Sequence, residues 1–391
     1  MSEARADRCD VLVIGGGPVG MTLARSLAES ALSVLVVDRA PRGAWKSDPR
    51  ALAIAHGSRQ LLERLGAWES RAATEICEIH VSQRGGFGRT LIRASDYDVP
   101  ALGYAVRYRD LAGALDRGLA DRAEVVQGEV DGIKVSDEDV RASVTTGGAV
   151  REIEARLVVH AEGAPPAASD ASGARGVTMR DYRQQAIIAE VTPAQAHGHR
   201  AWERFTADGP FALLPLDDHY GMVFTASTER AATLMALDDA GFLEALRAQF
   251  GTRVDFVAVG ARTSIPLALR LRPKIATRRE AWIGNTAQTL HPVSGQGLNL
   301  GLRDACELAQ AILDKGRLDA GDASVLESYA RGRRIDRIGS AVFTDGVVRV
   351  FSNDFAPLKA ARGLGLLALD LYPPLRHFVA KRMLWGARAW P

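Results

Sequence analysis

The sequence predicts an α/β fold in which a parallel-sheet domain is split by a β-rich insertion and followed by helices. Three observations carry this. A strand–helix–strand unit with spaced glycines opens the chain, short strands with polar turns crowd its middle, and a second glycine-rich loop leads into a helix beyond residue 280. The 391 residues allow two or three domains at roughly 100–200 residues each. The expected division is 1–180 and 280–345 as two parts of one domain, 181–279 as the β-rich domain, and 346–391 as a C-terminal helical segment.

Val11–Ile14 is a short apolar run suited to a buried parallel strand. Gly15-Gly16-Gly17-Pro18-Val19-Gly20 follows, then a helical stretch from Met21 to Ser30 and a second strand from Leu32 to Asp38. Strands are expected near Gly128–Val135, Val140–Thr146 and Val150–Val159, joined by polar turns. The Pro/Ala/Ser/Gly-rich stretch Ala164–Gly176 reads as a loop. Further strands are expected at Ala186–Val191, Trp202–Thr206, Phe211–Leu216, Tyr220–Thr228 and Val254–Val259, with one helix at Asp238–Phe250. Trp282-Ile283-Gly284 returns to a buried strand, Leu298–Leu313 is a helix, and the rest is largely helical.

Hydrophobic residues make up 47% and charged residues 25% of the chain, which excludes a disordered protein. A net charge of +2 gives no global electrostatic case for nucleic acid. Cys9, Cys77 and Cys306 have no metal-binding or disulfide spacing, so a reduced cytosolic protein without a metal is expected. His197-Gly198-His199 reads as a solvent loop with no third ligand nearby. No apolar run reaches transmembrane length. The polar stretch Met1–Cys9 lacks the apolar core of a signal peptide.

Gly15, Gly17 and Gly20 fit GxGxxG in the Rossmann-like setting that gives the motif meaning. The first glycine permits the turn, the second admits a pyrophosphate to the backbone, and the third permits close packing of the helix. Free amides at the helix start favour the phosphate. Asp38 can accept from ribose hydroxyls and would repel a 2′-phosphate. This motif leaves NAD and FAD both open.

The segment Gly284–Ala305 is the most informative. It contains Pro292, Gly295, Gln296, Gly297, Asn299, Gly301, Asp304 and Ala305 in the spacing PxxGQGxNxGxxDA. It resembles the loop of the group A, single-component FAD-dependent aromatic hydroxylases. Over the whole chain the nearest resemblance is to the ubiquinone-biosynthesis branch, with the tail Thr344–Asn353 most like hydroxylases of 2-octaprenyl-6-methoxyphenol.

The resemblance implies a two-dinucleotide-binding FAD domain with a β-sheet substrate domain inserted. It also implies NAD(P)H- and O2-dependent hydroxylation of a polyprenylated phenol through a flavin C4a-hydroperoxide. The implied flavin-facing loop is Pro292, Gly295, Gln296 and Gly297, and no single catalytic base is legible. The expected cofactor set is Gly15, Gly17, Gly20, Asp38, Arg39, Arg50, Arg107, Glu162, Asn285, Gly297, Leu298 and Asn299. The expected substrate pocket has Phe205, Phe211, Leu213 and Phe224 on the sheet and His291 beside the loop.

Three positions depart from the family pattern. Asn285 replaces the Asp of a Gly-Asp pair, Gln288 replaces a His, and Glu162-Gly163 replaces an Asp-Gly pair. Each would weaken flavin or NAD(P)H binding. They keep open an alternative, a non-catalytic or weakly flavin-binding subunit of a quinone-synthesis assembly. A halogenase is disfavoured because its Trp-x-Trp-x-Ile-Pro motif is absent.

From Pro357 to Pro391 the bases Lys359, Arg362, Arg376, Lys381, Arg382 and Arg388 face one acid, Asp370. Leucines interleave with them, and Trp385 and Trp390 close the chain. This pattern suits an anionic membrane surface. The expected location is the cytoplasm, peripheral on the inner face of its membrane, beside other quinone-synthesis enzymes.

Overall fold

A computed structural model describes residues 7–119, 123–164, 177–315, 319–352 and 355–386. Parallel strands form the nucleotide-side sheet in the order Glu280–Trp282, Ala149–His160, Asp7–Ile14, Val34–Asp38 and Glu124–Gln127. Their central residues, such as Val11, Leu12, Val13 and Val36, are wholly buried because both faces are covered. On one face lie the helices Pro18–Leu27 and Gln296–Lys315, packed through Leu23, Leu27, Leu302 and Leu308. On the other, the antiparallel hairpin Glu129–Val135 and Val140–Thr146 seals Leu12, Leu35 and Val37. Apart from Ala164, the expected loop Ala164–Gly176 lies outside the described residues.

The second sheet has nine strands. Thr178–Pro193, His219–Ser227, Gly209–Leu216 and Arg200–Thr206 pair in succession, and Thr263–Leu271 pairs with the outer side of the first. The sheet also recruits Glu78–Gln83 and Arg89–Arg93, which precede the stretch where the sequence placed it. Two helices, Thr228–Ala236 and Asp239–Phe250, follow where one was expected. They cover one face of the sheet through Phe242, Leu246 and Phe250. The opposite face looks towards the nucleotide half. A small three-stranded sheet of Ala51–Ala55, Gly103–Arg107 and Ala73–Ile76 joins the two halves. The chain continues through helices Ala323–Phe351, Ala356–Leu371 and Pro373–Trp385.

Candidate functional site

The glycine turn is built by close approach. Gly15 has φ +108°, and a Cβ there would sit 2.5 Å from the Ala161 carbonyl. A Cβ on Gly20 would fall 1.9 Å from the Gly15 oxygen. Gly17 differs, since its nearest neighbour would be the Tyr108 hydroxyl at 3.6 Å. That space is open to a ligand, and no side chain caps the helix that starts at Pro18. Asp38 ends its strand beside the turn, where one carboxylate oxygen accepts from the Gly16 amide at 2.5 Å and the other from the Ala40 amide at 2.7 Å.

Arg50 is held by Asp48 at 2.6 Å and lies over the Tyr108 ring at 4.3 Å. Burial opposes ionisation of Asp48, but its hydrogen bonds and charge pairing with Arg50 keep the carboxyl below its usual range. Asp48 is a near neighbour of Arg50 along the chain, whereas Tyr108 is brought to it by the fold.

The second glycine loop meets this region from the far side. Gly284 and Gly295 have φ +62° and +60°. A Cβ on Gly301 would lie 2.7 Å from the Val19 side chain, so this glycine lets the two helices touch. Gly297 has open space around its Cα, and the helix beginning at Gln296 starts beside it. Leu298 also borders the space.

All these elements line one cavity of about 1200 Å³. It exceeds the roughly 300–1,000 Å³ of a site for one drug-sized ligand, so a dinucleotide leaves room for a second molecule. At one end stand Gly15, Gly17, Asp38, Arg50, Glu162 and Asn285; the loop Pro292, Gly295, Gln296, Gly297 borders the middle; apolar strand residues form the other end. Two open glycine positions, two helix starts and a carboxylate at a strand end fit an FAD extended between the loops.

Several expected residues take other positions. Phe211, Leu213 and Phe224 lie on the opposite face of the sheet, buried with Phe250 and Phe256 under the helices. Their strand neighbours Ala212, Leu214 and Val223 face the cavity instead, because successive side chains alternate between faces. Phe205 packs against Phe351, ring centroids 4.0 Å apart and tilted by 31°, and does not line the cavity. His291 is buried behind the loop, edge-on to Tyr182, and burial pushes its pKa down to about 4. Arg107 is tied to Glu190 and Asp217. Arg39 is exposed beside Asp38 and does not line the cavity.

Asn299 borders the cavity, but its amide is committed. It donates to the carbonyls of Ala53 and Gly295 and accepts from the Ala55 amide, each at 2.8 Å, so it clamps the loop to a neighbouring strand. Gln288 is buried away from the cavity, donating to Asp304 at 2.6 Å and accepting from Arg337 at 2.5 Å. Glu162 lines the cavity and bends back to His160 at 3.4 Å. His199 lies beside Glu75 and Cys77, with their potential ligand atoms within 4.8 Å of one another, whereas His197 is not part of that group.

The departures from the pattern thus leave the cavity intact. Gln288 never reaches it, and Glu162, which lines it, pairs with His160 behind the lining.

A family model described as an FAD binding domain matches residues 8–337. The chain is 33% identical to the ubiquinone hydroxylase UbiL of Rhodospirillum rubrum, over 98% of this chain and 91% of that protein. It is 30% identical to the 3-demethoxyubiquinol 3-hydroxylase of Escherichia coli K12, over 96% of this chain and 98% of the relative. Among solved structures, p-nitrophenol 4-monooxygenase PnpA of Pseudomonas putida DLL-E4 superposes with a TM-score of 0.78 at 17% identity, covering 98% of this chain and 100% of that one. That likeness shows the shared fold.

Proposed function

From the premise that the chain belongs to the FAD-dependent aromatic hydroxylases of the ubiquinone-biosynthesis family, we propose that it hydroxylates a prenylated phenol with NAD(P)H and O2. One observation carries this reading: a single cavity runs from the glycine turn and Asp38 to an apolar sheet wall. Bound FAD supplies the hydride and oxygen chemistry. The protein's share is to hold and enclose. The starts of the helices at Pro18 and Gln296 favour the negative charges of pyrophosphate and reduced flavin. Asp38 keeps a free lone pair on each oxygen for ribose. Ile79, Val81, Ile188, Leu214 and Val223 exclude water from the ring.

Incubation of the purified protein with NADPH, O2 and prenylated phenols, with the product carbon assigned by mass spectrometry and NMR, tests the reading. Flavin-loaded protein that oxidises NADPH without hydroxylating any prenylated phenol contradicts it.

The C-terminal helices support a peripheral membrane location for the same reaction. Among the described residues no helix is long and apolar enough to cross a membrane. Yet Leu364, Leu367, Leu371, Leu375 and Phe378 are exposed, while Ala380, Met383 and Leu384 of the last helix line the cavity. One short helix therefore links an apolar outer surface with the interior. That arrangement suits a greasy substrate entering from an anionic bilayer on the cytoplasmic side, where other quinone-synthesis enzymes would act on the same pool.

A further inference from the structure

The sheet wall of the cavity is largely apolar. Glu203 lies on the strand Arg200–Thr206, directly between Val81 of one neighbouring strand and Ala212 of the other. Beyond Ala212 the same row continues through Val223 and Ile188. Of the flanking residues, Trp202 packs on Phe250 while also bordering the cavity, and Arg204 turns to the helical side and donates to the Gln249 carbonyl. Glu203 itself faces the cavity and is the one ionisable side chain that this sheet contributes to its lining, among the described residues. The other charged lining residues, Asp38, Arg42, Asp48, Arg50, Asp116 and Glu162, belong to the nucleotide half.

One carboxyl oxygen of Glu203, Oε1, is fully buried and has no hydrogen-bond partner. A buried carboxyl oxygen left without a partner costs free energy that an apolar residue at the same place would not. Such a group is explained by a ligand that completes it. Burial alone pushes its pKa up to about 8, with no charged neighbour contributing. That brings its basic form closer in strength to a phenol, whose ordinary pKa is about 10.

We propose that Glu203 is the substrate-contacting acid–base residue of this site, anchoring the ring through its phenolic hydroxyl and accepting that proton during turnover. The phenol O–H bond breaks as an O–H bond forms on the carboxylate. No electrons change owner, and the ring becomes more electron-rich. The same residue selects against ring carboxylates, since the sheet offers no cation to meet a second negative charge. The inference rests on the hydroxylase reading, but binding tests it without turnover.

The probe is a 2-methoxyphenol carrying one geranyl chain, compared with its O-methyl ether, titrated into FAD-loaded protein by flavin fluorescence. Wild type should bind the phenol about tenfold or more tighter than the ether, the worth of one buried hydrogen bond. Glu203→Leu should erase that preference, and Glu203→Gln, which can still hydrogen-bond, should retain most of it. In turnover, wild-type kcat/KM should rise with pH through about 8. Glu203→Gln should lose that limb and fall about a hundredfold, with FAD occupancy unchanged; Glu203→Asp should restore the limb. A preference that survives Glu203→Leu, or a pH limb that survives Glu203→Gln, overturns the inference. Wild type that discriminates phenol from ether yet forms no hydroxylated product would instead sink the hydroxylase reading and leave the anchoring role supported.

Discussion

Glu162 is one methylene longer than the aspartate usual at its position, and the structure uses the length. Its carboxylate reaches His160 Nδ1, while Glu280 takes Nε2 at 3.1 Å and Trp282 stacks on the ring. Burial alone would depress the imidazole pKa, but hydrogen bonds to Glu162 and Glu280 outweigh it and push the value up to about 9. A raised histidine stabilises the fold fully below its unfolded pKa near 6.5, and the contribution is lost as pH rises through about 9. Urea unfolding of wild type and His160→Gln between pH 6 and 10 should therefore converge at the alkaline end. The difference at pH 6 should be on the order of 2–3 kcal/mol; a gap that stays constant with pH would contradict the assignment. Asn285 tests a different contact. It lines the cavity at the position where the pattern has aspartate, so Asn285→Asp should tighten FAD binding, by up to about a hundredfold for one charge-assisted hydrogen bond. Titration of apo-protein decides it, and unchanged or weaker affinity counts against a direct contact. At this scale the glycines and Asp38 were legible because their spacing is local. The wall residues were not: Phe211, Leu213 and Phe224 lie on strands apolar on both faces, and their apolarity says that a face is buried without saying under what. The helices cover these three, and the cavity takes Ala212, Leu214 and Val223.

The helix that begins at Gln296 is held by a charge cluster as well as by its apolar stripe. Arg333 of the neighbouring helix is wholly buried and reaches Asp304 at 2.6 Å, Glu307 at 2.8 Å and Asp336 at 2.8 Å. Asp304 also accepts from the Gly284 amide at 3.1 Å and from Gln288, so it ties the cavity loop to both helices. Asp304 was readable as a motif member, but its partner lies 29 residues along the chain and carries no signature. Gln288, read as a departure affecting the flavin, serves this cluster instead. Arg333→Met leaves Asp304 and Asp336 buried with part of their pairing gone, which should cost about 3–5 kcal/mol. Unfolding midpoints report the loss, and FAD should leave the variant at lower urea than global unfolding requires. A variant as stable as wild type would show that apolar packing holds the helix without the cluster. The strands Glu78–Gln83 and Arg89–Arg93 pair with each other as a local hairpin, and the first alternates as a strand should; what leaves no local mark is its second, distant partner Arg200–Thr206, which places the hairpin in the large sheet.

Across the whole molecule, the C-terminal helices decide how the cavity meets its surroundings. The sequence placed a basic, leucine-rich segment here, and the structure sorts its residues into two jobs. Arg362 is buried against the carbonyls of Leu358 and Phe351, and Arg376 is held by Asp370 and Asp96, so both are structural. Arg388 and Trp390 lie outside the described residues. Lys381 remains exposed, near an apolar surface that includes Leu371 at 71% exposure and Leu375 at 41%. An isolated exposed leucine needs no explanation; several on two consecutive helices, beside residues that line the cavity, do. Burial of such side chains in a bilayer is worth about 1.5–3 kcal/mol each, and a basic residue near anionic headgroups adds about 1 kcal/mol. Leu371→Glu with Leu375→Glu should therefore abolish co-sedimentation with liposomes, because it removes two apolar anchors and adds two repelling charges. Lys381→Glu should weaken it several-fold, and only on anionic vesicles. Binding should also weaken with salt, since screening shortens the reach of the charges. None of these three side chains lines the cavity, so turnover of a short, water-soluble phenol should survive in each variant. Turnover of a long-chain prenyl phenol presented in vesicles should fall in step with sedimentation. Sedimentation of the double variant equal to wild type would show that this surface is not the docking face, and normal binding with a selective loss of long-chain turnover would place the leucines on the substrate's path instead.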